Sequence, residues 1–140
     1  MGLTVTFDCH DPHAQARFWA AALDGEVDDL HDLVTSVIEA GHLPADSDEI
    51  VELDGRRAWR DYASVTPPDG SGNRLLFQRV PEPKTAKNRV HLDLRAPDGE
   101  RDAKVAQLLE LGATTLWEAR QGPLSWVTLA DPEGNELCVS

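Results

Sequence analysis

Residues 88 to 98, NRVHLDLRAPD, alternate between apolar and polar positions. Val90, Leu92 and Leu94 fall on one side of an extended strand, and His91, Asp93 and Arg95 on the other, because successive strand side chains point to opposite faces. One apolar face implies a sheet packed on a core. The polar face is left for water, a partner or a pocket. LTVTFDC, near the start, alternates in the same way, with Val5 and Phe7 opposed to Thr4, Thr6 and Asp8. A helical pattern follows each strand. In DPHAQARFWAAALDG, Asp11 is placed to cap and Pro12 sits in the first turn. Phe18, Trp19, Ala22 and Leu23 make the apolar stripe, and Gly25 stops the helix. DGERDAKVAQLLELG has the same plan, with Asp98 as cap, Val105, Leu108 and Leu109 as stripe and Gly112 as stop. Both run fourteen residues from Asp to Gly. Trp19 and Leu109 are expected to be buried between helix and sheet.

The repetition continues downstream. YASVTPPDGSGNRLLFQ and WVTLADPEGNELCVS each read as a strand, a Pro-acid-Gly turn and a second strand, so that Tyr62 corresponds to Trp126 and Gly70 to Gly134. The first half is 23 residues longer between Gly25 and Tyr62. That excess carries its own amphipathic segment, with Leu30, Leu33, Val34, Val37 and Ile38 on one face and Gly41 as a stop. It reads as an inserted helix, after which LPADSDEIVELDGRRAW returns as loop, strand and turn. VPEPKTAKN, with two prolines and two lysines, is the linker. The prediction is an α+β chain of two βαβββ-like modules with helices near 12–23, 30–40 and 99–111. The first module spans 1–80 with the inserted helix at about 30–40, the linker 81–88 and the second module 89–140, together one domain. Each half is too small to be stable easily alone, so the two are expected to share a core.

Composition narrows the class. The 140 residues are 41% hydrophobic and 27% charged, enough for a core in a soluble protein. No apolar run approaches the roughly 20 residues that span a bilayer, and MGLTVTFDC lacks the regions of a secretory signal, so a cytoplasmic protein without membrane contact is expected. Cys9 and Cys138 form no metal-type pair and no disulfide framework. The net charge of −12 is lopsided. Residues 1 to 54 hold thirteen acids against Arg17 alone, while the remainder balances to zero. An acidic chain lacks the basic footprint of nucleic-acid binding; it suits a cationic ligand or partner, or simply a solvated acidic face. A local basic cluster runs from Arg74 through Arg79, Lys84, Lys87 and Arg89 to Arg95. Nucleophile elbow, phosphate-binding glycine loop and dinucleotide fingerprint are all missing.

The duplicated strand–helix–strands plan resembles the vicinal oxygen chelate superfamily, whose members include glyoxalase I, bleomycin-resistance proteins, fosfomycin-resistance enzymes and extradiol dioxygenases. Its glyoxalase-like domains are the nearest match. DPHAQARFWAAALDG, RLLFQRVPEPKTAKNRVHLDLRAPDGE and LADPEGNELCV carry the resemblance, which covers nearly all of the chain except the inserted helix. It implies curved sheets enclosing a central cavity that, in the enzymes, holds a divalent metal with ligands on the first and last strands of each module. Those positions fall on His91, seven residues before Asp98, and on Thr4, seven before Asp11. On the last strands they fall on Cys138, where glutamate is usual, and on Leu76 or Gln78; Glu136 lies two residues before Cys138 on the same face. Only His91 is unchanged from the usual set, while hard ions want several carboxylate and imidazole ligands. The expectation is a cavity without metal or other cofactor. Zinc, nickel or iron held by His91, Glu136 and Cys138 is the alternative.

Under that resemblance, Thr4, Thr6, Asp8, Gln78, His91, Asp93, Glu136 and Cys138 face a ligand. Trp59, Tyr62 and Trp126 supply its stacking rim, although such aromatics, Trp117 included, equally serve as core. His91 is the candidate catalytic residue. With Asp93 it looks like an acid/base pair, yet strand neighbours two apart sit about 7 Å from each other and need not touch. Asp8 is a candidate base or cation binder, or else an anchor for the following turn. His10, His13, His31 and His42 show no ligand spacing and are expected at the surface. Three functions stay open: a bleomycin-resistance-like protein sequestering a small, cationic molecule; a metal-dependent glyoxalase-like lyase or isomerase; and a partner-binding protein using the acidic inserted helix. A homodimer is compatible with each.

Overall fold

A computed structural model describes residues 2–140. In the first module β1 (Thr4–Cys9) leads into α1 (Pro12–Ala22), and the module closes with β4 (Tyr62–Val65) and β5 (Arg74–Arg79). Its sheet has the order β1-β5-β4, with β1 parallel to β5 and β5 antiparallel to β4. The second module runs β6 (Leu92–Leu94), α3 (Arg101–Glu110), β7 (Thr114–Gln121), β8 (Leu124–Ala130) and β9 (Glu136–Val139). Its order is β6-β9-β8-β7, again with first and last strands parallel. The duplicated α+β plan is therefore present. Registers align the halves residue by residue. Val5, Thr6 and Phe7 stand opposite Leu75, Leu76 and Phe77, as Leu92, Asp93 and Leu94 stand opposite Leu137, Cys138 and Val139. Leu76, rather than Gln78, is thus the counterpart of Cys138.

The insertion explains why the first sheet has three strands rather than four. The strand that should flank β4 is reduced to a single bridge, Val27 to Val65. The chain then leaves the sheet to form α2 (His31–Glu39) and a separate hairpin, β2 (Ile50–Leu53) with β3 (Arg56–Trp59). Asp54 and Gly55 turn that hairpin with φ of 51° and 76°, the left-handed pair that suits two-residue hairpin loops. Two histidines fasten the insertion. His31 Nδ1 accepts from Arg57 N at 2.9 Å, and His13 Nε2 lies 2.9 Å from the Trp59 carbonyl. Both are half-buried, so the surface expected for them holds only for His10 and His42.

One core serves both modules. Phe18, Trp19, Ala63, Val65, Leu75 and Phe77 are continuous with Leu108, Val127, Leu129, Leu137 and Val139. Phe7 packs between Trp19 and Phe77 with centroids 5.1 and 5.4 Å away, tilted against the indole and stacked on Phe77. α1 starts as its sequence dictates, because Asp11 Oδ1 accepts from His13 N and Ala14 N and Pro12 occupies the first turn. α3 does not. Asp98 is no cap, since Glu100 N bonds back to Pro97 O and Gly99 takes a φ of 82°, so a tight turn uses up the Asp-Gly pair before the helix begins. Leu109 is also corrected. It is 40% exposed while Leu108 is fully buried, because a step of one residue turns about 100° around a helix and leaves the single covered stripe. Val90 is 73% exposed, since pairing of β6 with β9 begins only at Leu92 and no sheet enforces the alternation before it. Among the described residues no helix is long and apolar enough to cross a membrane.

Candidate functional site

β1 and β6 are edge strands of their sheets. Between them, under the segment joining the modules, lies a cleft of about 800 Å³. Thr6, Asp8, Lys84, Arg89 and His91 give it polar walls; Val5, Phe7, Val80, Val90 and Leu92 give it apolar ones. The joining segment is pinned rather than loose. Glu136 accepts from Asn88 N at 3.1 Å and from Lys84 Nζ at 3.3 Å, and Asn88 Nδ2 donates to Asn135 Oδ1 at 3.0 Å. Lys84, Asn88 and Asn135 line the cleft as well as holding its wall. Sequence reading missed this role. The signal was the polar pair Asn135–Glu136 opening a strand whose next residues are apolar.

Around His91 the second module gathers donors. His91 Nε2 lies 3.2 Å from Asp93 Oδ1, and Asp93 stands directly opposite Cys138. One donor atom from each of the three falls within 4.8 Å of the others. His91 precedes the paired stretch of β6, which begins at Leu92. Cys138 Sγ also lies 3.4 Å from Thr128 Oγ1. Burial, and then the nearby Asp93 charge, push its thiol above the ordinary value despite the Thr128 contact. Cys9 is more extreme. Burial first, then the charges of Glu133, Asp11 and Asp8, push it up to about 12, and it donates to the Gln78 carbonyl. It is an inert core thiol. Glu136 is held away from this group by Lys84 and Asn88.

The other expected residues divide by place. Thr6, Asp8 and His91 line the cleft, whereas Thr4, Gln78, Asp93, Trp126, Glu136 and Cys138 are not part of its lining. Asp8, Gln78 and Tyr62 form one row across the first sheet. Trp59 and Tyr62 line a separate hollow with Glu49 and Asp61. A hard ion shared between the modules does not fit these residues, because Thr4 and Leu76 stand in the first module where His91 and Cys138 stand in the second. Histidine, aspartate and thiol within one module are instead a mixed set of the kind zinc accepts.

Comparison places this architecture. A family model described as a glyoxalase-like domain matches residues 4–140. No curated protein sequence matches the chain. Among solved structures, the fosfomycin resistance protein FosX from Mesorhizobium loti is similar at 12% identity and a TM-score of 0.64, over 97% of this chain and 86% of that one. A glyoxalase/bleomycin resistance protein from Albidiferax ferrireducens shares 19% identity at a TM-score of 0.61, over 97% and 93% of the two chains. FosX from Listeria monocytogenes, solved with Mn(II) and 1S,2S-dihydroxypropylphosphonic acid, shares 9% at 0.61, over 99% and 86%. With a match over nearly the whole length and the duplicated sheet-and-helix plan in place, the chain belongs to the glyoxalase-like domains of the vicinal oxygen chelate superfamily.

Proposed function

We propose that this chain is a small-molecule-binding protein that holds its ligand in the cleft between the modules without a metal ion, sequestering it in the bleomycin-resistance manner. The observation that carries this is the register that makes Thr4 and Leu76 the counterparts of His91 and Cys138, so that these two first-module positions offer no strong metal donor. The cleft volume of about 800 Å³ lies in the range of small-molecule sites, roughly 300–1,000 Å³, and its lining mixes apolar side chains with polar and charged ones, among them Asp8, Lys84, Arg89 and His91. His91 is the hydrogen-bonding anchor at its mouth. The reading places the protein in the cytoplasm, where Cys9 and Cys138 stay free thiols. It includes a homodimer whose apolar contact is Leu116, Trp117 and Leu124, all exposed on the β7–β8 hairpin; sedimentation equilibrium checks it, and a monomer at high concentration removes it.

The deciding experiment is metal analysis of protein purified without chelator, alongside native mass spectrometry for a co-purifying compound. The expected result is a bound organic molecule with far less than one metal per chain. His91→Ala should weaken its retention about tenfold or more while leaving thermal stability nearly unchanged. A second reading is favoured by the His91, Asp93 and Cys138 cluster. In it His91, Asp93 and Cys138 would hold a zinc-like ion, which would supply Lewis acidity toward a carbonyl or enolate oxygen and make the chain a lyase or isomerase. One zinc, nickel or iron per chain, lost in both His91→Ala and Asp93→Ala, would replace the sequestration reading with this one.

A further inference from the structure

We propose that the insertion gives this chain a second site, an aromatic and acidic notch that takes an organic ammonium ion. The notch has a volume of about 360 Å³ and is lined by Glu49, Trp59, Asp61 and Tyr62. It shares no residue with the cleft between the modules, so it stands independently of the ligand proposed there. The chain builds it deliberately from two strand junctions. β2–β3 pairing sets Ile50 opposite Trp59, and Arg60 N donates to Glu49 O at 2.8 Å, which holds Glu49 beside the end of β3. His13 grips the Trp59 carbonyl, fixing that end of the hairpin against α1. Three residues after Trp59, Tyr62 begins β4, 44% exposed despite its strand position.

The lining selects for charge and for shape. An indole and a phenol carry negative π-faces that attract a cation, and a carboxylate beside them adds its own Coulomb attraction. Glu49 is exposed and, among the described residues, has no cationic partner. Asp61 shares its charge with Arg79, whose Nε lies 3.3 Å from Asp61 Oδ1, so Glu49 supplies the net negative charge. Arg60 faces Asp48 instead, at 3.6 Å. An anion is disfavoured here both by these carboxylates and by the charge of −12 carried on residues 1 to 54. A small hydrated metal ion would gain little from aromatic walls. An alkylated ammonium group matches both features, because it is cationic yet weakly hydrated, with a methyl surface that fits an apolar wall.

Choline and its neutral isostere 3,3-dimethyl-1-butanol are the probes, titrated calorimetrically into the full chain. Choline should bind saturably and at least about tenfold more tightly than the isostere. Glu49→Gln should weaken choline several-fold with no change in melting temperature, since Glu49 is a surface residue. Trp59→Leu should abolish binding, and Trp59→Phe should restore part of it; the conservative variant guards against loss of the hairpin. His91→Ala, in the other cleft, should leave choline binding unchanged. Equal binding of the isostere would show an apolar slot without cation selection and overturn the proposal. So would choline binding indifferent to both Glu49→Gln and Trp59→Leu, or the absence of saturable choline binding.

Discussion

Glu136 shows how one buried carboxylate fastens distant parts of the chain. Burial acts to raise its pKa, but its own backbone amide, that of Asn88 and the Lys84 ammonium outweigh burial and hold it below the ordinary carboxyl value. A carboxyl depressed by folding adds stability that is present above its unfolded pKa and lost as pH falls through its folded one. Urea unfolding should therefore show the wild type losing stability as pH drops below the ordinary carboxyl range. Glu136→Gln should lose less over the same interval. At neutral pH that variant should already be weaker by about 1–3 kcal/mol, because Asn88 N–H and Lys84 lose a charged acceptor. Parallel pH profiles for the two proteins would show that Glu136 titrates alike in folded and unfolded chains. Its polarity on β9 was legible, but the sequence set it facing a ligand; its partners were out of view, since Lys84 and Asn88 sit 52 and 48 positions away in sequence.

Among elements, the strands and helices followed from periodicity, and the departures have local causes. α1 begins where Asp11 and Pro12 put it, while α3 starts after a turn that the Asp98–Gly99 pair makes for itself. The phase of α3 is the instructive case. Val105, Leu108 and Leu109 all look like core in sequence, yet only a narrow stripe meets the sheet. Leu108→Ala should cost about 2–5 kcal/mol through the cavity it leaves, whereas Leu109→Ala should cost under about 1 kcal/mol. Chemical denaturation of both variants tests the assigned phase, and equal losses would refute it. Alternation likewise placed His91 and Asp93 on one face but gave no warning that the strand pairs only from Leu92. The insertion was visible as an excess between Gly25 and Tyr62. That it would strip the first sheet of a strand, and raise Trp59 beside Tyr62, depends on tertiary packing that periodicity does not encode.

For the whole molecule, the question is what joins the two half-sized modules. The answer lies in the DPEGN turn before β9, whose sequence marked the fold without revealing its work. Asp131 is buried and accepts from Trp19 Nε1 at 3.0 Å, from Asn135 N at 2.9 Å and from Glu133 N at 3.0 Å. Glu133 in turn accepts from His10 N and Asp11 N, both at 2.8 Å, on the threshold of α1. The second module thus satisfies the helix start and the central indole of the first, and the apolar cluster runs through both. Asp131→Ala would strand the Trp19 N–H and the Asn135 amide in the interior, each unsatisfied group costing about 1–3 kcal/mol. Glu133→Ala, nearer the surface, should cost less, about 1–2 kcal/mol. Because core and clamp are shared, the chain should unfold in a single calorimetric transition, and Asp131→Ala should lower its midpoint without splitting it. Two transitions in the wild type would mean that each module holds a core of its own, and the joint role assigned to Asp131 and Glu133 would fail with them.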